Sequence, residues 1–284
     1  MTTSDTPHTH SLPNRAQHPS TGNSYVLTGS GLTKSFGPTV ALGGVSVQIE
    51  AGETTAVMGP SGSGKSTLLH LLAGIVKPDS GSIELAGQEI GQLSERARTE
   101  LRRSRFGFVF QFGQLLPELP AVENVALPLM LGGMPRQAAE ARARELFAPL
   151  GLAGMESRRP GELSGGQSQR VAVARALVTS PDVIFADEPT GSLDSRTGTE
   201  VMNVLSSACK AHGAALVLVT HDPQVARWCE RTIAMRDGRI VAEYRREPGQ
   251  EPGQESVAQQ HPAMPETAPA AQPVTSVLPE AARR

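Results

Sequence analysis

Aromatic residues and cysteines are scarce in this chain. Its 284 residues include one tryptophan, two tyrosines, seven phenylalanines and two cysteines. Two thiols, Cys209 and Cys229, are too few for a disulfide framework; they suit a reducing cytosol with both free. Charge of neither sign dominates. Lysine and arginine total 26 against 28 acids, a net charge of -2, so no strong field draws the chain to nucleic acid or an anionic membrane. Long apolar runs are also missing. A spanning helix needs about 20 apolar residues, whereas the longest stretches, 68–76 and 214–219, are far shorter, and His70 interrupts the first. The N-terminus has no apolar core of the kind a secretory signal carries. Any work at a membrane is therefore expected to pass through a partner.

What is present divides into three parts. Residues 1–24 are rich in Thr, Ser, Pro, His and Asn, and residues 246–284 carry seven prolines, no aromatic residue and the imperfect repeat Glu247-Pro-Gly-Gln, Glu251-Pro-Gly-Gln. Neither flank has the apolar surface to offset its ordering entropy, so both read as disordered tails. His8 and His10 read as part of a solvated tail rather than a metal site. Residues 25–245 read as one folded unit. Val45, Val47 and Ile49 alternate with polar neighbours, as in a half-buried strand. Residues 54–58 are a short strand leading into a glycine-rich loop, and 65–73 a helix. Phe106, Phe108 and Phe110 mark another strand. Residues 123–131 and 136–150 have helical composition, with Pro128 a kink or stop, and 166–178 has helical spacing. The apolar runs 183–186 and 216–219 suit strands buried on both faces of a parallel sheet. This alternation implies an α/β layer fold, interrupted by a helical insertion over about 112–162.

The loop Gly59-Pro60-Ser61-Gly62-Ser63-Gly64-Lys65-Ser66-Thr67 matches the phosphate-loop pattern in its required strand–loop–helix setting. Gly62 and Gly64 let the backbone curl so that N–H groups converge on phosphate oxygens, and the helix start adds partial positive charge. Lys65 suits the β- and γ-phosphates and Ser66 a Mg²⁺ ion. Further on, Asp187 and Glu188 end a buried strand. Alone, such a pair is as often a turn with solvated acids. Beside a phosphate loop, Asp187 suits holding Mg²⁺ through water and Glu188 orienting or deprotonating an attacking water.

Leu163-Ser164-Gly165-Gly166-Gln167 then resembles the signature motif of ABC (ATP-binding cassette) ATPases, and other landmarks follow in that family's order. Gln111 resembles the Q-loop glutamine, Ser192-Leu-Asp194 the D-loop and His221 the switch histidine. Phe36 stands where the family stacks an aromatic ring on adenine. The resemblance covers about residues 28–245. Phe108-Val-Phe-Gln111, Leu115-Leu-Pro and Glu123-Asn-Val-Ala-Leu-Pro128 are similar to the MacB/LolD/FtsE type. The chain departs from the pattern at Ser168, Ser192 and Gly113. The last lies in the segment that, in the family, lines the groove for the permease.

The resemblance implies a P-loop NTPase (RecA-like) core with an N-terminal antiparallel β-subdomain and an inserted α-helical subdomain. It implies a homodimer or heterodimer of ATPase subunits, each phosphate loop facing the other chain's Ser164-Gly165-Gly166 across ATP and Mg²⁺. Lys65, Gln111, Glu188 and His221 would be the catalytic set. Ser66, Gln111 and Asp187 would serve the metal, and Phe36, Gln167 and Asp194 would join the loop in holding nucleotide. The implied work is ATP hydrolysis that drives a separate membrane permease of the MacB/FtsX type from the inner face of the plasma membrane. Cargo would be lipophilic compounds, peptides or lipoproteins. The alternative is an FtsE-like device that signals across the membrane without transport. A DNA- or ribosome-directed ATPase is disfavoured, since the chain has one cassette, no coiled-coil insertion and no basic patch.

Overall fold

Alternating burial on the first two strands builds one layer of the protein. The structure, a computed structural model, describes residues 25–246. The tails expected at 1–24 and 246–284, with His8, His10 and the repeat, lie outside the described residues, Arg246 excepted. Strands β1 (Tyr25–Phe36), β2 (Thr39–Glu50), β4 (Ser80–Leu85) and β5 (Gln88–Glu89) form an antiparallel sheet in the order β2-β1-β4-β5. On β2, Val45, Val47 and Ile49 point inward between exposed Ser46 and Gln48, so one face is dry and the other wet.

The second sheet has six strands in the order β10-β9-β3-β8-β7-β6. These are β3 (Thr54–Met58), β6 (Phe106–Phe110), β7 (Val183–Asp187), β8 (Ala215–Thr220), β9 (Arg231–Arg236) and β10 (Arg239–Arg245). All pairings are parallel except that of the edge strand β10. Every residue of β8 is buried, as a strand covered on both faces requires. Its two faces feed two cores. Val217 and Val219 pack with Val57, Phe185 and α1 (Lys65–Leu72) toward the antiparallel sheet. Leu216 and Leu218 pack with Ala56, Ile184 and helices α5 (Gly165–Leu177) and α6 (Ser195–His212) on the other side.

The helices α2 (Glu95–Arg105), α3 (Ala121–Leu131), α4 (Arg136–Arg144) and α7 (Pro223–Ala226), with a 3-10 turn at Pro160–Glu162, complete the fold. α3, α4 and the turn fall in the stretch expected to interrupt the sheet. Two expectations change. Pro128 does not stop α3, which carries it and runs on to Leu131; near a helix end the lost N–H costs one bond, and Gly132 N–H still reaches the Pro128 carbonyl at 3.0 Å. The helix expected over 136–150 ends at Arg144. Beyond it Leu146 and Phe147 donate to the carbonyls three residues back, and Pro149 biases its predecessor away from helical angles. Phe147 and Leu150, beyond the end of α4, are buried all the same.

Candidate active site

β3 delivers the chain to the phosphate loop at the edge of its sheet's C-terminal ends. Gly64, the N-cap of α1, has φ +97°, and a Cβ there would lie 2.5 Å from the Ala41 carbonyl oxygen, so only glycine fits. Leu68 N–H is the first to bond back into α1, to Gly64 at 2.8 Å. The N–H groups of Lys65, Ser66 and Thr67 thus form the positive end that favours anions. Lys65 is 9% exposed, and its Nζ donates to the Gly59 and Pro60 carbonyls at 2.8 and 2.9 Å. Burial lowers its pKa, against the pull of Glu188 and Asp187.

Ser61, Gly62, Gly64, Lys65, Ser66 and Thr67 line a cleft of about 300 Å³ whose other wall is Asp187, Glu188 and Val219. The phosphate loop and the paired acids, 120 residues apart in sequence, thus meet. Burial raises the Asp187 pKa; His70 and Lys65 oppose this and Glu188 adds to it. Glu188 has φ +46°, and its N–H is tied to the Val219 carbonyl at 2.9 Å. Its Oε1 accepts from His221 N–H at 3.0 Å and lies 2.6 Å from His221 Nδ1. Its Oε2 accepts from Thr220 Oγ1 at 3.2 Å. The end of β8 therefore aims the carboxylate. Thr220 and His70 escaped the sequence reading, because their roles appear only once β8 lies beside β7 and α1 beneath the cleft.

Among the described residues no three His, Cys, Asp or Glu side chains gather as a self-sufficient metal site. A Mg²⁺ ion keeps several waters and takes one or two protein ligands beside substrate phosphates. The Ser66 hydroxyl and the Asp187 carboxylate, which line one cleft, could serve as those ligands.

The other expected residues sit elsewhere on the chain. Gln111 follows β6; its amide packs on Gly191, where a Cβ would lie 2.9 Å from Nε2, and it is absent from the cleft lining. The Gln111 segment is gripped by α5: Gln169 Nε2 donates to Phe110 O at 2.8 Å, and Arg175 to Gln114 O at 2.8 Å and Gly113 O at 2.5 Å. Ser164 caps α5, accepting from Gln167 N–H at 3.3 Å, while Gln167 Oε1 accepts from Ser164 N–H at 2.9 Å. This capping box explains the Ser164/Gln167 spacing, and Gly166 is bare because a Cβ would lie 2.5 Å from Thr197 Cγ2. Asp194 caps α6, accepting from Thr197 N–H and Oγ1 at 3.0 and 2.7 Å, bonds that lower its pKa. Phe36 is 52% exposed at the end of β1, with Lys34 Nζ 5.6 Å from the ring centre.

A glycine-lined phosphate cradle at the end of a parallel strand, faced by two acids, defines a P-loop nucleoside triphosphatase. Within that class the ABC transporter family model matches residues 42–191, and the chain belongs to that family. It is an ATP-binding cassette with ATPase function. It is 48% identical over 199 residues to a lipoprotein-releasing system ATP-binding protein, LolD 2, of Caulobacter vibrioides, covering 70% of this chain and 87% of that protein. It is 50% identical over 204 residues to the macrolide export ATP-binding/permease protein MacB of Rhodopseudomonas palustris, covering 72% of this chain and 31% of that protein. Among solved structures it resembles the dimeric cassette MJ0796 in a post-hydrolysis state bound to ADP and Pi. That match has a TM-score of 0.69 and 40% identity, over 77% of this chain and 98% of that one. The expected ABC family of the MacB/LolD/FtsE type is matched by relatives named LolD and MacB, and the expected fold class is established.

Proposed function

We propose that residues 25–245 act as one cassette which dimerises head to tail around two ATP and drives a separate membrane permease of the MacB/FtsX type in extruding lipoproteins or other lipophilic cargo. The cargo class follows the relatives named for lipoprotein release and macrolide export. No helix among the described residues is long and apolar enough to cross a membrane, so the chain would work at the inner face through that partner. One observation carries the dimer. The cassette that this chain resembles at 40% identity is itself dimeric, and the signature residues Ser164–Gln167 are not among those lining this chain's phosphate cleft. The α5 start, a second anion-binding helix end, is then available to a second copy's nucleotide.

In this reading Lys65 and the loop N–H groups orient the phosphates, and Phe36 carries the adenine. Glu188, aimed by Thr220 and His221, positions the attacking water and draws its proton. Ser66 and Asp187 would hold a Mg²⁺ ion, which would supply charge neutralisation when bound. The permease would dock in the groove of about 610 Å³ between α2, β6, α3 and α5, with Phe106, Phe108 and Leu131 in its lining and Arg102, Arg103 and Arg175 among its cations. The segment around Gln111, held to α5 through Phe110, Gly113 and Gln114, would link that groove to the cleft. The test is Glu188→Gln with saturating Mg-ATP. Turnover should drop at least about a hundredfold, and light scattering should show a dimer that dissociates on exchange into ADP. Normal turnover, or a monomer even beside the permease, would defeat the assignment.

A further inference from the structure

The back of the phosphate loop leans on the far end of the chain. β9 runs parallel to β3, with Val57 opposite Ile233 and Met58 opposite Ala234, so its last residues arrive behind the loop. A Cβ on Gly59 would lie 2.2 Å from the Met235 carbonyl oxygen. The tight turn from β9 to β10 then places Asp237 at φ +49° and Gly238 at φ +70°, two left-handed residues as a two-residue hairpin turn needs. Gly238 donates its N–H to the Ser63 carbonyl at 3.1 Å and accepts from Gly43 N–H at 2.9 Å. It therefore ties the loop to β2. A Cβ on Gly238 would lie 2.7 Å from the Ala41 carbonyl oxygen, the same oxygen that Gly64 approaches, so the two glycines pass each other where no side chain fits.

The consequence follows from peptide geometry. In a planar trans peptide the C=O of one residue and the N–H of the next point in opposite directions. Holding the Ser63 carbonyl outward, away from the cleft, turns the Gly64 N–H inward, and Gly64 lines that cleft. We propose that Gly238 is a positioning residue for nucleotide binding: its N–H fixes the Ser63–Gly64 peptide so that the Gly64 N–H faces a phosphate oxygen. The inference rests on the reading of the loop as the ATP site. A phosphate on the Gly64 N–H would also polarise the same peptide and strengthen the Gly238 bond, so the hairpin feels whether nucleotide is present.

The test uses the full chain, fluorescent mant-ADP and ¹⁵N spectra. Gly238→Ala should weaken mant-ADP binding at least about tenfold, the scale of one charge-assisted hydrogen bond, and should move the Gly64 amide resonance before any nucleotide is added. Asp237→Gly, which keeps the N–H in place, should bind as the parent does. Binding by Gly238→Ala within twofold of the parent overturns the proposal. So does a variant whose unfolding temperature drops while its Gly64 resonance stays put, since that marks plain destabilisation. If Gly238→Ala does not fold, the parent decides. ADP should shift Gly64 and slow hydrogen exchange of the Gly238 amide together, and a Gly64 shift with unchanged Gly238 exchange overturns the link. Lys65→Ala separates the two levels: if it binds mant-ADP normally, the loop itself is not the site.

Discussion

Lys65 has no acid for a direct partner; its ammonium rests on two carbonyls of its own loop. A charge held this way stays in the cleft without being cancelled by a direct partner, and burial lowers its pKa. Lys65→Ala should therefore lower ATP affinity at least about tenfold, measured by calorimetry, and unchanged affinity would remove the lysine from the phosphate site. The two thiols show the opposite use of burial. It pushes the Cys209 thiol up to about 12 and the Cys229 thiol higher still. Both are therefore protonated and out of reach at pH 8. A thiol reagent should find none in the native protein and two after denaturation; rapid native labelling would contradict the packing. Lys65, Ser66, Asp187 and Glu188 were legible as sequence because loop chemistry is written in consecutive residues. Thr220 and Gly238 were not, because each acts across a strand pairing that no local pattern announces.

Elements follow the same logic one level up. The strands 54–58, 183–186 and 216–219 were readable because double burial demands unbroken apolar runs. α2 went unassigned because its only buried residue is Arg98, which leaves no apolar stripe to find. The expected helix over 136–150 overran because it was read from composition, and helix-favouring residues such as Glu145 and Leu146 continue after the backbone tightens into turns. Asn124 explains part of the Glu123–Pro128 resemblance in physical terms. It is fully buried in α3, where Oδ1 accepts from Leu116 N–H at 2.7 Å and Nδ2 donates to the Leu116 and Leu119 carbonyls at 3.0 Å. One side chain thus fixes the loop that leads from Gln111 into the helical stretch. Asn124→Ala should cost about 2–4 kcal/mol, an empty volume plus unpaired backbone groups. Urea unfolding would measure it, and a loss below about 0.5 kcal/mol would show that water replaces the amide without penalty.

For the whole molecule, the proposed arrangement makes each ATP site from two chains, and that can be tested without knowing the permease. Lys65→Ala damages the loop half of a site. Gly165→Asp damages the signature half, by placing a carboxylate where a γ-phosphate would sit; the added Cβ meets only the flexible end of Leu193, at 3.1 Å, and an acid at a helix start does not destabilise the helix. Each variant alone should be inactive. In a head-to-tail dimer of one chain of each, one site pairs the intact Lys65 of the second variant with the intact signature of the first, and the other site combines both lesions. Random mixing in equal amounts puts half the chains in such mixed dimers, so about a quarter of the parent ATPase activity should return if the two sites turn over independently. If loop and signature of the same chain formed the site, every site in the mixture would carry a lesion and mixing would restore nothing. A mixture confirmed as mixed dimers by mass spectrometry, yet inactive to within about one percent of the parent, would leave only two readings: self-contained sites, or strict coupling of the two sites. A single-turnover measurement of ATP cleavage in the mixed dimer separates them, because an intact composite site still cleaves its first nucleotide.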